Sequence, residues 1–229
     1  MNKLLTTMFA LAVACVTVSA QAQTVSGKVE EGAKKTAMCV GCHGILGYQA
    51  SFPEIHKVPM IAGQSATYIS SALNAYKTGD RKHPTMRAIA DTLTEQDIAD
   101  LAAYYSVQGL KEGGAPPAAA ARAPSERVQA LIGRDAANTC ITCHGANFNT
   151  PNDGTVPKLA GQHADYLFVA LKSYKTERNA NLGRSNGVMA GQAKKFTNAE
   201  LKELAKYISS LPGELKTVPE PVIHRSAAK

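Results

Sequence analysis

The chain has 229 residues and a formal net charge of +7; 45% of its residues are hydrophobic, only 6% are aromatic, and there is no tryptophan. This balance excludes a disordered or collagen-like polymer, and the length fits two small domains or one medium one. Two domains of about 90 residues each would be marginal on side-chain burial alone, so something besides side chains is expected to fill the interior.

In chain order, Lys3 gives a positive start, an apolar run follows from Leu4 to Val18, and small residues stand at Ser19, Ala20 and Ala22. This pattern predicts a secretory signal peptide over residues 1–22, cleaved near Ala20 or Ala22, and export of the mature protein. The run is short for a membrane span of roughly 20 apolar residues, which disfavours the alternative of an uncleaved anchor. Cys15 lies inside it and is discarded with it; the residues before it match a lipoprotein signal poorly. A helix is expected from about Ser26, ahead of the motif Cys39–His43. A middle helix is expected over 65–77, then a loop with Met86, then a helix opening at Thr94. Glu95 and Asp97 occupy its first turn, and Ile98, Leu101 and Tyr105 fall at helical spacing.

Residues 109–124, with Gly113-Gly114, Pro116-Pro117 and a run of alanines from Ala118, read as a semi-rigid linker. The same order of elements then returns: a helix from about Ser125, the motif Cys140–His144, a helix over 164–175, a loop with Met189, and a helix opening at Thr197 with Leu201, Leu204 and Ile208. From Pro212 on, Pro219 and Pro221 interrupt any helical period, and a surface tail is expected. Strand-like alternation is absent. The expected fold is all-α, with domains at 23–108 and 125–229.

The return is an internal duplication. Pro59, Ala62, Gly63, Gln64 and Tyr68 recur 98 positions later as Pro157, Ala160, Gly161, Gln162 and Tyr166. Tyr76-Lys77-Thr78 recurs as Tyr174-Lys175-Thr176, and Met86, Thr94 and Tyr104 recur 103 positions later as Met189, Thr197 and Tyr207.

The mature chain keeps four cysteines, Cys39, Cys42, Cys140 and Cys143. In an exported protein disulfides come to mind first, but C-V-G-C-H and C-I-T-C-H are the attachment sequence for haem c. On a helical turn the first Cys, the second Cys and the His share one face, so two thiols can add to two porphyrin vinyl groups while His43 or His144 turns its imidazole to the iron. A dithiol redox site is expected in an α/β fold, and a tetrahedral zinc needs four ligands, not three crowded in sequence. Two covalent haem c groups follow, and they answer the shortage of rings in the core.

The second axial ligand sets the chemistry of the iron. Met60 has Lys158 as its counterpart and Met38 has Thr139, so Met86 and Met189 are the only matched methionines and the expected ligands; packing residues are the bland alternative. His56, His83, His163 and His224 have no repeat partners and are read as surface or second-sphere residues, His83 being the nearest rival to Met86. The tyrosine pairs Tyr68/Tyr166 and Tyr76/Tyr174 are read as core residues, with a hydroxyl bonded to a haem propionate as the minority reading.

With the cysteine motif near the start of each half and methionine near its end, each half resembles a class I cytochrome c. The tandem pair, with Ala62–Gln64 and Ala160–Gln162 as A-G-Q, is similar to the dihaem cytochrome c4 family over essentially the whole mature chain. That resemblance implies end helices that cross, with Gly32 near Tyr104 and Gly133 near Tyr207. It implies two haems close across a domain interface with propionate edges facing. It also implies a periplasmic carrier, not an enzyme, soluble or loosely membrane-attached, that takes electrons from a reductase complex and delivers them toward a haem–copper terminal oxidase.

Charge is uneven: residues 23–110 hold eight basic and eight acidic side chains, and residues 125–229 hold fourteen and nine. The second half suits docking on acidic redox partners or anionic lipid, or is simply a solvated basic face; nucleic acid is not an expected partner. Two other functions compete. One is an electron-accepting subunit of a dehydrogenase, such as the dihaem partner of a flavocytochrome sulfide-oxidising enzyme. The other is a dihaem peroxidase, which needs an exchangeable axial site that Met86 and Met189 argue against.

Overall fold

The structure is a computed structural model and describes residues 25–110, 123–135, 139–176 and 179–219. The signal peptide, most of the linker, His224 and the last residues of the expected tail lie outside them.

The first half contains α1 (Val29–Ala33), α2 (Ala37–His43), the two-residue strands β1 (Gln49–Ala50) and β2 (His56–Lys57), α3 (Ala66–Thr78), β3 (Arg81–Lys82), α4 (Pro84–Asp91) and α5 (Glu95–Val107). The second half contains α6 (Glu126–Ile132), α7 (Cys140–His144), α8 (Ala164–Ser173), β4 (Gly183–Arg184), α9 (Gly187–Lys194) and α10 (Asn198–Ser209). The all-α class holds. The strands depart from the expectation of none, because segments of two residues are too short to show an alternating pattern.

The last helix of each half starts where the sequence places it. Thr94 and Asp97 form a capping box on α5, and Thr197 and Glu200 form its copy on α10, each pairing satisfying two of the orphan N–H groups of a helix start. The middle helix α3 is capped by Ser65, whose side chain accepts from Tyr68 N; His163 stands at the matching N-cap position of α8 without a side-chain cap bond. Lys77 and Lys175, from the repeated Y-K-T, reach the carbonyls of Leu93 and Phe196 and so close the segment between the middle and last helices.

α1 packs across α5, and α3 packs against α4 and α5. Ile69, Leu93, Ile98, Leu101 and Tyr105 form the core between them. Gly32 is needed at the crossing: a Cβ there would stand 2.1 Å from Asp100 O and 2.6 Å from Tyr104 Cβ. Asp100, 2% exposed, ties the crossing by accepting from Lys28 N at 2.8 Å and from Lys35 Nζ at 2.6 Å. The second half does not copy this. Among the described residues a Cβ on Gly133 would meet only Gln129 O, at 3.4 Å, so no tight crossing against Tyr207 like that of Gly32 and Tyr104 forms there. Gly133 sits at the C-cap of α6, one residue beyond the helix, and Leu131 and Ile132 make the packing contact instead, with Leu204 and Phe168.

The segment after α10 is not the surface tail expected from Pro212. Leu211 and Leu215 are buried, and Lys216 N donates to Ala62 O of the first half at 3.0 Å. Two leucines spaced to point inward outweigh the prolines that suggested a tail.

Candidate haem sites

In each half the cysteine motif forms a short helix, α2 or α7, so the thiols and imidazole share a face as the spacing requires. None of the four cysteines is in a disulfide. Burial pushes the Cys39 and Cys140 thiols up, the opposite of the depressed value that marks a reactive redox dithiol. His43 Nδ1 lies 2.8 Å from Pro59 O, and His144 Nδ1 lies 3.0 Å from Pro157 O. A carbonyl only accepts, so each Nδ1 carries the proton and each Nε2 keeps its lone pair for a metal. Burial lowers the pKa of both imidazoles and keeps them neutral, as a ligand must be.

Met86 and Met189 are both half-buried and stand at the same place in α4 and α9, helices where the sequence suggested loops. The N-cap side chains explain the difference. His83 accepts from Met86 N and Asn186 accepts from Met189 N, and Pro84 sits at the start of α4, where its missing N–H costs nothing. His83 is thereby occupied as a cap. His56 is a correction to the surface reading: it is 5% exposed, bonds Glu54 O through Nδ1 at 2.8 Å, and lies against the Tyr166 ring. Met60 is half-buried and Met38 is exposed.

The two halves meet along a seam with approximate two-fold character. β3 pairs antiparallel with β4, Arg81 opposite Arg184. Around that pair gather the repeated tyrosines. Arg81 donates to Tyr68 Oη at 3.3 Å and to Tyr166 Oη at 2.7 Å, and its guanidinium lies 4.5 Å from the Tyr76 ring centroid. Arg184 donates to Tyr166 Oη at 3.2 Å and stacks over Tyr174 at 5.3 Å. Among the described residues no carboxylate pairs with either arginine, and Arg81 Nε is buried without a partner. Burial opposes ionisation of Tyr166, yet the two guanidinium charges outweigh it and bring the phenol down to about 8. Two cations sharing a buried seam with only phenols for company form a donor set suited to carboxylates, and the propionates of a porphyrin are carboxylates. The residues present therefore fit haem: four thiols, two neutral imidazoles and a cationic cradle. Sequence reasoning missed the arginines, although Arg81 and Arg184 are 103 positions apart, the same offset as Met86 and Met189.

The A-G-Q repeat also acquires a role at the seam. Ala62 and Ala160 are buried. Gly63 and Gly161, at φ +81° and +76°, donate their N–H groups to Tyr105 O and Ile208 O on the last helix of their own half. Gln64 and Gln162 cross to the other half, Gln64 Nε2 donating to Lys158 O at 3.0 Å and Gln162 Nε2 to Met60 O at 2.9 Å. Ion pairs Lys57–Asp165 and Lys172–Glu54 flank the seam.

Comparison with known proteins agrees with this construction. The cytochrome c family model matches twice, at residues 29–106 and 130–212. Cytochrome c4 of Stutzerimonas stutzeri is 31% identical over 195 residues, covering 81% of this chain and 90% of that protein. The thiosulfate dehydrogenase electron acceptor of Thiomonas intermedia is 30% identical over 185 residues, covering 78% of this chain and 80% of that one. The crystal structure of reduced recombinant cytochrome c4 from Pseudomonas stutzeri matches with a TM-score of 0.63 at 30% identity, covering 82% of this chain and all of that one. The chain belongs to the cytochrome c family, as a tandem two-domain member of the dihaem cytochrome c4 group, a carrier of electrons with two covalently bound haem c groups.

Proposed function

We propose that the mature protein is a periplasmic carrier of single electrons in which His43 and Met86 hold one haem iron and His144 and Met189 the other. In this reading Cys39, Cys42, Cys140 and Cys143 carry the thioether bonds, and electrons pass from a reductase complex toward a haem–copper terminal oxidase. Haem, when bound, supplies a one-electron iron couple whose potential is raised by thioether ligation. The observation that carries the reading is the duplicated frame. In both halves a proline carbonyl orients the imidazole, an N-cap side chain anchors the methionine helix, and a lysine closes the segment behind it. Two sites built alike, each with two axial candidates, favour transfer over catalysis, which needs an open position on the iron.

The domains are taken as 23–108 and 125–229 with a linker at 109–124; the family matches at 29–106 and 130–212 fall within those bounds. No helix among the described residues is long and apolar enough to cross a membrane, and export rests on the signal pattern in residues 1–22. Met86→Ala and Met189→Ala are expected each to lower the potential of one haem and to let carbon monoxide bind its ferrous iron. Unchanged potentials without carbon monoxide binding would refute the ligand assignment.

A second reading, an electron-accepting subunit of a dehydrogenase, is favoured by the similarity to the Thiomonas intermedia protein named as a thiosulfate dehydrogenase electron acceptor. Purification from the native periplasm and membrane separates the two. A free dihaem protein supports the mobile carrier, and a stable complex with a dehydrogenase supports the subunit.

A further inference from the structure

The crossed glutamines do more than join the halves. His43 Nδ1 donates to Pro59 O, and the next N–H along the chain, that of Met60, donates to Gln162 Oε1 at 3.1 Å. Pro59 C=O and Met60 N–H belong to one planar peptide group. An axial imidazole candidate of the first half and a glutamine of the second half therefore hold opposite ends of the same peptide. Gln162 Nε2 also donates to Met60 O at 2.9 Å, so two bonds fix the residue that follows the histidine's acceptor.

The reciprocal arrangement is present. His144 Nδ1 bonds Pro157 O, Lys158 N donates to Gln64 Oε1 at 3.0 Å, and Gln64 Nε2 donates to Lys158 O at 3.0 Å. Both glutamines are buried, at 5% and 4% exposure, and each Oε1 also accepts from the next N–H of its own chain segment, Ser65 N or His163 N, at 3.0 Å. Two donors on Oε1 and one acceptor for Nε2 leave one orientation of each amide; turning it over would set donor against donor.

We propose that Gln162 is a positioning residue for His43 and Gln64 for His144, so that each domain orients and polarises the axial imidazole of the other. The inference rests on the reading of His43 and His144 as iron ligands. Hydrogen bonds in series strengthen one another: a peptide whose N–H is taken by an amide oxygen is a better acceptor at its C=O. A stronger acceptor on Nδ1–H makes the imidazole a stronger donor to iron, which favours the ferric state and lowers the potential. The seam thus links the two redox centres through bonds that cross in both directions, in addition to any direct charge effect.

The test is Gln162→Leu and Gln64→Leu in the full holoprotein, read by proton NMR of the ferrous form and by redox titration. Gln162→Leu is expected to speed hydrogen exchange of the His43 Nδ1–H and raise one potential, with His144 and the other potential unmoved; Gln64→Leu is expected to do the reverse. An effect on the histidine of the mutated half, or none on either, overturns the proposal. If the leucine variants do not fold, Gln162→Glu and Gln64→Glu put a stronger, charged acceptor on the same N–H, so slower hydrogen exchange is required at the histidine of the opposite half, and a change at the histidine of the mutated half or at neither overturns the proposal. Whether each histidine is on a haem is read separately, from the ring-current shifts of its carbon-bound protons, so a wrong ligand assignment and a wrong coupling give different spectra.

Discussion

Gly32→Ala and Gly133→Ala occupy matching positions of the duplication, yet the structure requires opposite outcomes. At Gly32 the new methyl would stand 2.1 Å from a backbone oxygen of α5 and 2.6 Å from the first side-chain carbon of Tyr104. Neither atom lies at the end of a flexible chain, so α1 and α5 must part. Overpacking costs about 1–3 kcal/mol, and a clash with backbone belongs at about 3. Alanine returns about 1 kcal/mol of helix propensity, which leaves a loss of about 2 kcal/mol. Gly133 has φ −88°, and among the described residues only Gln129 O lies close to an added Cβ, at 3.4 Å. Alanine fits there and stabilises by about 0.5 kcal/mol through the unfolded state. Urea unfolding of the two holoprotein variants, followed by far-ultraviolet circular dichroism, measures the gap. A separation of more than about 2 kcal/mol is expected, carried by the first-half transition if the halves unfold separately. Equal effects in the two variants would refute the asymmetry of the helix crossings.

Three further outcomes are expected. The Lys35 ammonium, working against burial, holds the Asp100 carboxyl below its ordinary value, with help from Lys28 N–H and Gln96. A folded pKa below the unfolded value of about 3.9 stabilises the fold above that pH and stops doing so as pH falls through the folded pKa. Asp100→Asn should therefore be less stable than the parent at neutral pH, with the gap shrinking in acid; a gap unchanged in acid contradicts this. Arg81→Gln removes a buried cation that touches Tyr68 and Tyr166 from both halves. A nearby positive charge favours the reduced iron, so spectroelectrochemistry should find both potentials lowered; unmoved potentials would place the cation far from both irons. In the parent protein the methionine-to-iron charge-transfer band should be present with the intensity of two sites, and Met86→Ala and Met189→Ala should each remove half of it; an undiminished band in either variant rules that methionine out.

Local chemistry was legible in the sequence, and the meeting of the two halves was not. The haem motif and the starts of α5 and α10 rest on residues within five positions of one another, the repeat shows in laying one half over the other, and the structure keeps both. α4 and α9 replace the loops expected around Met86 and Met189; each is only eight residues long, too short to show a helical period, and is started by a side-chain cap from His83 or Asn186. The pairing of Arg81 with Arg184 and the crossing of Gln64 and Gln162 depend on two halves approaching in one register. No hydrophobic period records that approach. The repeat shows that such residues are duplicated but not that they face each other. Leu215 was read as part of a tail for a similar reason: its burial comes from the packing of the segment that follows α10, which no local pattern announces.

The most direct test of the whole account is the intact mass of the purified protein under denaturing conditions, paired with acid–acetone extraction. The account requires the mature polypeptide plus two haems, with the colour staying on the chain. A polypeptide mass without two porphyrins, or colour that leaves with the solvent, would contradict it.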